Sequence, residues 1–415
     1  MQKKFIALAV AGLMSGAAFA QSNVTIYGLV DVGAELGNSG FGSKFRIQSG
    51  QSAGNRLGFK GEEALGNGLK ASFQLETGFS VDTGMQTNNS SHISGTSVST
   101  NAANTGGTNG TVPTSSGTST FQRIAIVGLS GGFGAVTVGR QYTPEFTVLT
   151  AVDPFSAGQA GSNGVSVTGL AGYAQRLDNS VVYTSPNVSG FTGQLGYSSG
   201  NEHNMNGYTT TAVAASNIVA GSSDRSGQAW VAGLTYANGP AYAGLAYHKV
   251  RNSAATAGNI AAGATDIPDS ASYLLAGSWD FKFMKLSATY ASGRQDVAGL
   301  ANSGSRTSDT RHYSLGLVVP VSAAAKIQAV YGSRDDRLVT DLDFNYMSIG
   351  GEYMLSKRTN LYASYTKIMN KDSTSGAGVT TGAGVVANSA LNTGLQLSST
   401  NYDPTALQFG LKHSF

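Results

Sequence analysis

The sequence predicts an all-β transmembrane barrel of about sixteen antiparallel strands, with its third long loop folded into the lumen. Three observations predict it. Apolar and polar residues alternate with the two-residue period of a strand, not the 3.6-residue period of a helix. After the first twenty residues, no stretch approaches the roughly 20 consecutive apolar residues that a membrane helix requires. Short and long connections alternate along the chain, as they do when strands turn tightly at one end of a barrel and loop widely at the other.

The first twenty residues read as a secretory signal peptide. Lys3 and Lys4 form its basic start, Phe5 to Leu13 its apolar run, and Ala18-Phe19-Ala20 a small-x-small cleavage site. The mature chain is then expected to run from residue 21 to 415 as one barrel. Without Lys3 and Lys4 it holds 24 basic side chains (26 − 2) against 23 acidic, a net charge near +1. That balance points to no nucleic acid and no strongly charged partner. Charged residues make up 12% of the chain, about half the roughly 25% of soluble domains. Glycine is abundant, at 56 residues, with 18 Tyr, 17 Phe and no Cys. A disulfide scaffold and a thiol active site are therefore excluded.

The strand period is plain from the start. Val24, Ile26, Val30 and Val32 share one parity, and Thr25, Tyr27, Asp31 and Glu35 the other. Further on, Leu69, Phe73, Leu75 and Phe79 oppose Lys70, Ser72, Gln74 and Glu76. At the C-terminus, Leu407, Phe409, Leu411 and Phe415 oppose Gln408, Lys412 and Ser414. Each segment thus has one apolar face and one wet face. Alternation alone does not say which face is outside. The signal peptide, the glycine content and the connection lengths choose a barrel with lipid on the apolar side.

Short connections are expected at Glu63–Gly68, Ser130–Gly134, Pro186–Gly190, Asn238–Pro240, Asp280–Phe283, Pro320–Ala325 and Ser356–Thr359. Long ones, rich in Ser, Thr, Asn and Gly, are expected at Val81–Thr120, Tyr142–Gln175, Gly200–Ser226, Asn252–Ser270, Gln295–Thr310 and Lys371–Thr400. Two shorter ones lie near Gly37–Ser43 and Arg334–Asp341. The run from Thr87 to Thr120 has almost no apolar content and is expected to be an external loop. Tyr142–Gln175 differs, because it carries Phe146, Val148, Leu149 and Phe155 beside Glu145 and Asp153. A long loop with its own anchoring residues is more often functional than idle. It is expected to fold inside the wall and narrow a pore.

Several motifs together resemble a known family. They are Val24-Thr25-Ile26-Tyr27-Gly28 with Asp31, Asn55-Arg56-Leu57-Gly58-Phe59-Lys60-Gly61, and Leu65-Gly66-Asn67-Gly68-Leu69-Lys70. Val127-Gly128-Leu129, Gly132-Phe133-Gly134 and Thr137-Val138-Gly139-Arg140-Gln141-Tyr142 follow. Asp178-Asn179-Ser180-Val181, Tyr183-Thr184-Ser185-Pro186 and a terminal Phe415 complete the set. In this order and spacing the chain resembles the general, non-specific trimeric porins of Gram-negative bacteria, most closely the β-proteobacterial type.

The resemblance implies an outer-membrane homotrimer for passive diffusion of small hydrophilic solutes and ions. It implies a pore constriction in which wall arginines Arg56, Arg123 and Arg176 face loop acids Glu145 and Asp153. Arg46 and Lys60 share the wet parity and are candidates for additional pore lining. Family members often carry Asp where Thr147 stands, so the loop is expected to be less acidic here than the resemblance implies, and three arginines with flanking bases against two loop acids predict a mildly anion-preferring channel. Phe415 resembles the signal read by the outer-membrane assembly machinery, or else an ordinary interfacial aromatic. Outer-membrane lipid and lipopolysaccharide are the expected surroundings.

Alternatives from other classes have less support. Nucleophilic catalysis needs a Ser, a His and a carboxylate converging. The five histidines, His92, His203, His248, His312 and His413, have no companion motif. Neither a metal-ligand spacing nor a phosphate-binding glycine loop occurs. An outer-membrane enzyme is thus disfavoured, no catalytic residue or metal is assigned, and no cofactor is implied. A substrate-specific channel remains as the runner-up, and an adhesin barrel acting through its loops stands behind it.

Overall fold

The computed structural model describes residues 23–38, 42–86, 120–167, 169–200, 227–251, 269–296, 306–338, 343–371 and 403–415. The expected signal peptide and most of the long connections lie outside these residues. The first half of the barrel comprises β1 (Asn23–Asn38), β2 (Ser43–Ser49), β3 (Arg56–Gly66), β4 (Leu69–Gly78), β5 (Ile124–Gly131), β6 (Gly134–Tyr142), β7 (Arg176–Thr184) and β8 (Phe191–Ser198). The second half comprises β9 (Ala229–Asn238), β10 (Ala241–Arg251), β11 (Asp269–Asp280), β12 (Lys285–Asp296), β13 (Arg306–Pro320), β14 (Ala325–Asp336), β15 (Phe344–Met354), β16 (Thr359–Asn370) and β17 (Thr405–Ser414). Two helices lie inside, α1 (Pro144–Val152) and α2 (Gly164–Val167).

Consecutive strands pair antiparallel all the way round, and β17 closes on β1. There are 17 strands but sixteen staves, because β2 and β3 lie end to end along one strand. Leu36 of β1 faces Phe45 of β2, and Tyr27 of β1 faces Gly58 of β3. Between them, residues 50–55 leave the wall and turn inward. A sequence reading does not separate this excursion from an ordinary strand. All seven short connections fall where the sequence placed them.

The burial pattern inverts that of a water-soluble sheet protein. Ile26, Trp230 and Leu315 are 62%, 62% and 68% exposed, while Gln328 and Gln408 are fully buried. Apolar side chains face outward and polar ones inward on the same strands. Lipid is the solvent that makes this arrangement favourable. Closure satisfies every ladder edge, which hydrocarbon cannot do.

The inner surface of β9–β12 breaks the polar-inside rule. Ala246, Leu274, Ala276 and Ala291 point inward and form a buried cluster with Val148, Leu149, Val152, Val167 and Leu170 of the loop. Phe155 packs in a second cluster with Val330, Phe344, Tyr346 and Ile368. The third long loop is therefore held to the far wall by apolar packing inside the lumen. Close approach needs space: a Cβ on Gly350 would stand 2.9 Å from the Phe155 ring.

Candidate functional site

The loop begins with a helix whose local sequence determines its ends. Thr143 caps α1 by accepting a hydrogen bond from the Phe146 amide at 3.1 Å, and Pro144 starts the first turn. The helix stops at Asp153, whose extended backbone suits the residue before Pro154. Glu145, Val148, Leu149 and Val152 form the buried face. Thr147 and Ala151 are exposed, and Phe146 and Thr150 are partly so. The exposed face of this helix carries no charge.

Across from it, three arginines from distant parts of the chain converge. Arg123 precedes β5, while Arg56 and Arg176 open β3 and β7. The hydroxyl of Tyr142, at the end of β6, accepts hydrogen bonds from Arg123 at 2.8 Å and Arg176 at 3.0 Å. The Arg176 guanidinium also lies 4.6 Å from the centre of the Tyr142 ring. That ring stacks on Phe146 of α1 at 4.8 Å, which couples the arginine side to the loop. Arg56 donates to the Gly54 carbonyl at 3.0 Å and lies within the electrostatic field of Arg123 and Tyr142.

One carboxylate answers this cluster. Glu76 accepts from Arg123 Nε at 2.6 Å and, through its other oxygen, from the Tyr27 hydroxyl at 3.0 Å. Alternation puts Glu76 on the wet face of β4, but nothing local identifies its partner 47 residues away. Tyr142 was equally hidden, because its partners are set by the barrel's closure. Arg140, on the same strand, makes an ion pair with Asp178 and donates to the Gln122 carbonyl at 2.6 Å.

The two loop acids are not where the resemblance put them. Glu145 is turned away from the arginines into the wall, where it accepts from the Ser272 hydroxyl of β11 at 2.8 Å. His248 Nδ1 of β10 stands 3.8 Å from the same oxygen, outside hydrogen-bond distance. Burial pushes the Glu145 carboxyl up to about 8, against a partial lowering by Ser272. Asp153 folds back on its own loop and accepts from the amides of Phe155, Ala157 and Asn163 at 3.1, 2.9 and 3.0 Å. Burial raises its carboxyl to about 7, with those amides opposing the shift. The physical reason for both placements is the apolar anchoring of the loop, which carries its first turn and its Asp-Pro corner against the wall.

The additional candidates divide. Arg46 is paired with Glu35, which also accepts from Gln408 at 2.6 Å, so it stands apart from the Tyr142 cluster. Lys60 is exposed and lies 5.3 Å from the Tyr27 ring centre. Phe415 is half exposed on the outer surface, and its backbone exchanges two hydrogen bonds of 3.1 Å with Gly28. No group of three or more metal-ligating side chains occurs among the described residues.

Comparison with known proteins agrees with this architecture. A family model described as Gram-negative porin matches residues 7–373. An outer membrane porin protein of Bordetella pertussis is 31% identical over 407 residues, covering 88% of this chain and 94% of its own. Outer membrane porin protein 32 of Delftia acidovorans is 29% identical over 426 residues, with both chains fully covered. Among solved structures, an anion-selective porin from Comamonas acidovorans superposes with a TM-score of 0.70 at 25% identity. That match covers 95% of this chain and all of the other. With a closed barrel, an inverted polarity and a loop anchored within the lumen, the chain belongs to the Gram-negative porin family and is a passive-diffusion channel of the outer membrane.

Proposed function

We propose that this channel prefers anions, and that Arg56, Arg123 and Arg176 form the charged side of its constriction. One observation carries the reading: three guanidinium groups gather at Tyr142 and, among the described residues, Glu76 alone meets them with a carboxylate, while the exposed face of α1 opposite is uncharged. Glu145 and Asp153 are proposed as anchors of the loop rather than as its acidic face. The field at the narrowest point is then one-sided. It attracts anions instead of orienting solutes between opposed charges. The name of the Comamonas relative, an anion-selective porin, accords with this.

The test is the zero-current potential of the refolded protein in a planar bilayer under a salt gradient. Wild type should give an anion-biased potential. Arg176→Gln and Arg56→Gln should each reduce the bias several-fold, since one charge about 8 Å from a passing ion is worth roughly 2 kcal/mol at an effective dielectric of about 20, less salt screening. A cation-biased wild type would overturn the proposal while leaving the channel intact.

The assembly is proposed to be a homotrimer with the outer face of β1–β5 toward its neighbours. A lipid-facing band favours Tyr and Trp at its borders. Among the described residues, the outward face of β1–β5 carries Ile26, Phe45, Ile47, Val127 and Leu129 instead. The outward Tyr and Trp lie from β7 to β16, including Tyr183, Trp230, Tyr273 and Tyr353. Phe415 is proposed to serve both as an assembly signal and as a closing residue of the barrel. The channel is read as non-catalytic, and its solutes as small hydrophilic molecules and ions. Expected partners are the assembly machinery and the surrounding lipid with lipopolysaccharide.

A further inference from the structure

The segment between β2 and β3 enters the lumen because the sheet has no room for it. Val32 pairs with Ser49 and Leu29 with Arg56, so Val30 and Asp31 of β1 stand opposite all of residues 50–55. Such a surplus has to leave the ladder. One buried carboxylate holds it inside. Asp31 accepts hydrogen bonds from the Ser52 and Ala53 amides at 2.7 and 2.6 Å, and from the Tyr362 hydroxyl at 2.6 Å. Its own backbone takes both ends of the segment. The Asp31 carbonyl accepts from the Gly50 amide at 2.8 Å, and the Asp31 amide donates to the Asn55 side chain. Lys412 adds a bond of 3.3 Å to the Ser52 hydroxyl.

The segment touches both halves of the constriction. On one side it meets the tip of the inner loop: the Gln51 carbonyl accepts from the Gln159 amide, and a Cβ on Gly158 would overlap the Ser52 carbonyl. On the other side it meets the arginines. The Gly54 carbonyl accepts from Arg56 Nε at 3.0 Å, and a Cβ on Gly54 would stand 2.9 Å from a terminal nitrogen of Arg123. Neither glycine has a positive φ. Both are there for close approach rather than for a turn.

Every residue from Gly50 to Asn55 thus makes a hydrogen bond to something outside the segment. A short backbone held at each residue has no slack, and close-packed interiors transmit displacement. We propose that residues 50–55 form a third side of the constriction, beside the arginines and α1, and that Asp31 is its positioning residue. The segment is a bridge that couples the place of the loop tip to the placement of Arg56 and Arg123. Its exposed part, at Gly54, is uncharged, so it limits the width of the passage and leaves the field to the arginines. The inference rests on the reading of Arg56 and Arg123 as constriction residues and extends it to what holds them.

The test compares wild type with Gly158→Val, Asp31→Asn and the control Gly132→Ala, each refolded at full mature length into planar bilayers. Gly132 lies in the β5–β6 turn, where an added Cβ meets nothing within 4 Å. Zero-current potential reads the ion bias, and the largest polyethylene glycol that lowers the conductance reads the width. Gly158 is walled by Ser52 and Phe155, with no arginine beside it. Gly158→Val should nonetheless cut the anion-to-cation permeability ratio at least twofold and admit polymers that wild type excludes. Asp31→Asn keeps an acceptor for Tyr362 but turns an amide toward two backbone donors, and it should do the same. The control should match wild type. An unchanged ratio in Gly158→Val, even with more current substates, would overturn the coupling. Wild-type polymer exclusion in Asp31→Asn, whatever its thermal midpoint, would overturn the third side. The coupling has a second check that does not depend on Asp31→Asn folding. Gly54→Ala combined with Gly158→Val should lose no more bias than the stronger single variant, and additive losses would sink the bridge. A cation-biased wild type would instead defeat the anion reading, and polymer exclusion would still judge the bridge.

Discussion

Tyr142 and Glu145 lie three residues apart and face opposite ways, and that divergence sets the charge of the passage. Tyr142 gathers Arg123 and Arg176, while Glu145 is buried against Ser272 and next to His248. A carboxylate moved from solvent into such a place is disfavoured in its charged form. Its ordinary value of 4.5 is raised to about 8. A group with a raised folded value stabilises most fully below pH 4.5 and loses that contribution as pH rises through 8. Loop docking should therefore weaken progressively from about pH 4.5 to about pH 8 and level off above it. The measurement is the frequency of current fluctuations in single channels against pH. Glu145→Gln keeps an acceptor for Ser272 without the charge, and it should flatten that dependence. If the variant retained the wild-type pH profile, the loosening would have another origin.

At the scale of elements, the third long loop behaves as a small core built inside a water-filled barrel. Its helix buries one stripe on β9–β12, and its Asp-Pro-Phe corner reaches β13–β16. Phe155→Ala should remove roughly 3–5 kcal/mol of packing from the loop. Single channels should then show larger conductance and more frequent substates, while barrel content by circular dichroism stays unchanged. Gly350→Leu should act in the same direction by blocking the Phe155 ring. The sequence announced the loop's bounds and its apolar anchors, and the structure begins and ends it at Tyr142 and Arg176. The docking wall was less legible. Its one local sign is Leu274 beside Leu275, where both faces of β11 are apolar, because one meets lipid and the other meets the loop.

For the whole molecule, closure is the decisive event. Phe415 and Gly28 exchange backbone hydrogen bonds at the seam between β17 and β1, and the Phe415 ring covers the space where a Gly28 Cβ would stand. Deleting Phe415 removes that pair and an outward aromatic together. The expected result is slower folding into lipid vesicles and a thermal midpoint lower by several degrees, followed by heat-modifiable gel mobility. Unchanged folding in vitro with poor assembly in cells would assign Phe415 to recognition alone.

Strand period, turn positions and the inner loop were determined by the sequence itself, because each depends on neighbours a few residues apart. Alternation also put Arg56 and Lys60 on the wet face, since a charge in lipid is costly. What the tertiary structure decided is how those wet faces pair across the barrel. Glu76 rather than a loop acid meets Arg123, Arg46 is taken by Glu35, and Glu145 is turned to the wall. Strand residues fix only a direction, inward or outward. Which inward groups meet depends on barrel closure and on where apolar packing carries the loop, and both are set by contacts far apart in the chain.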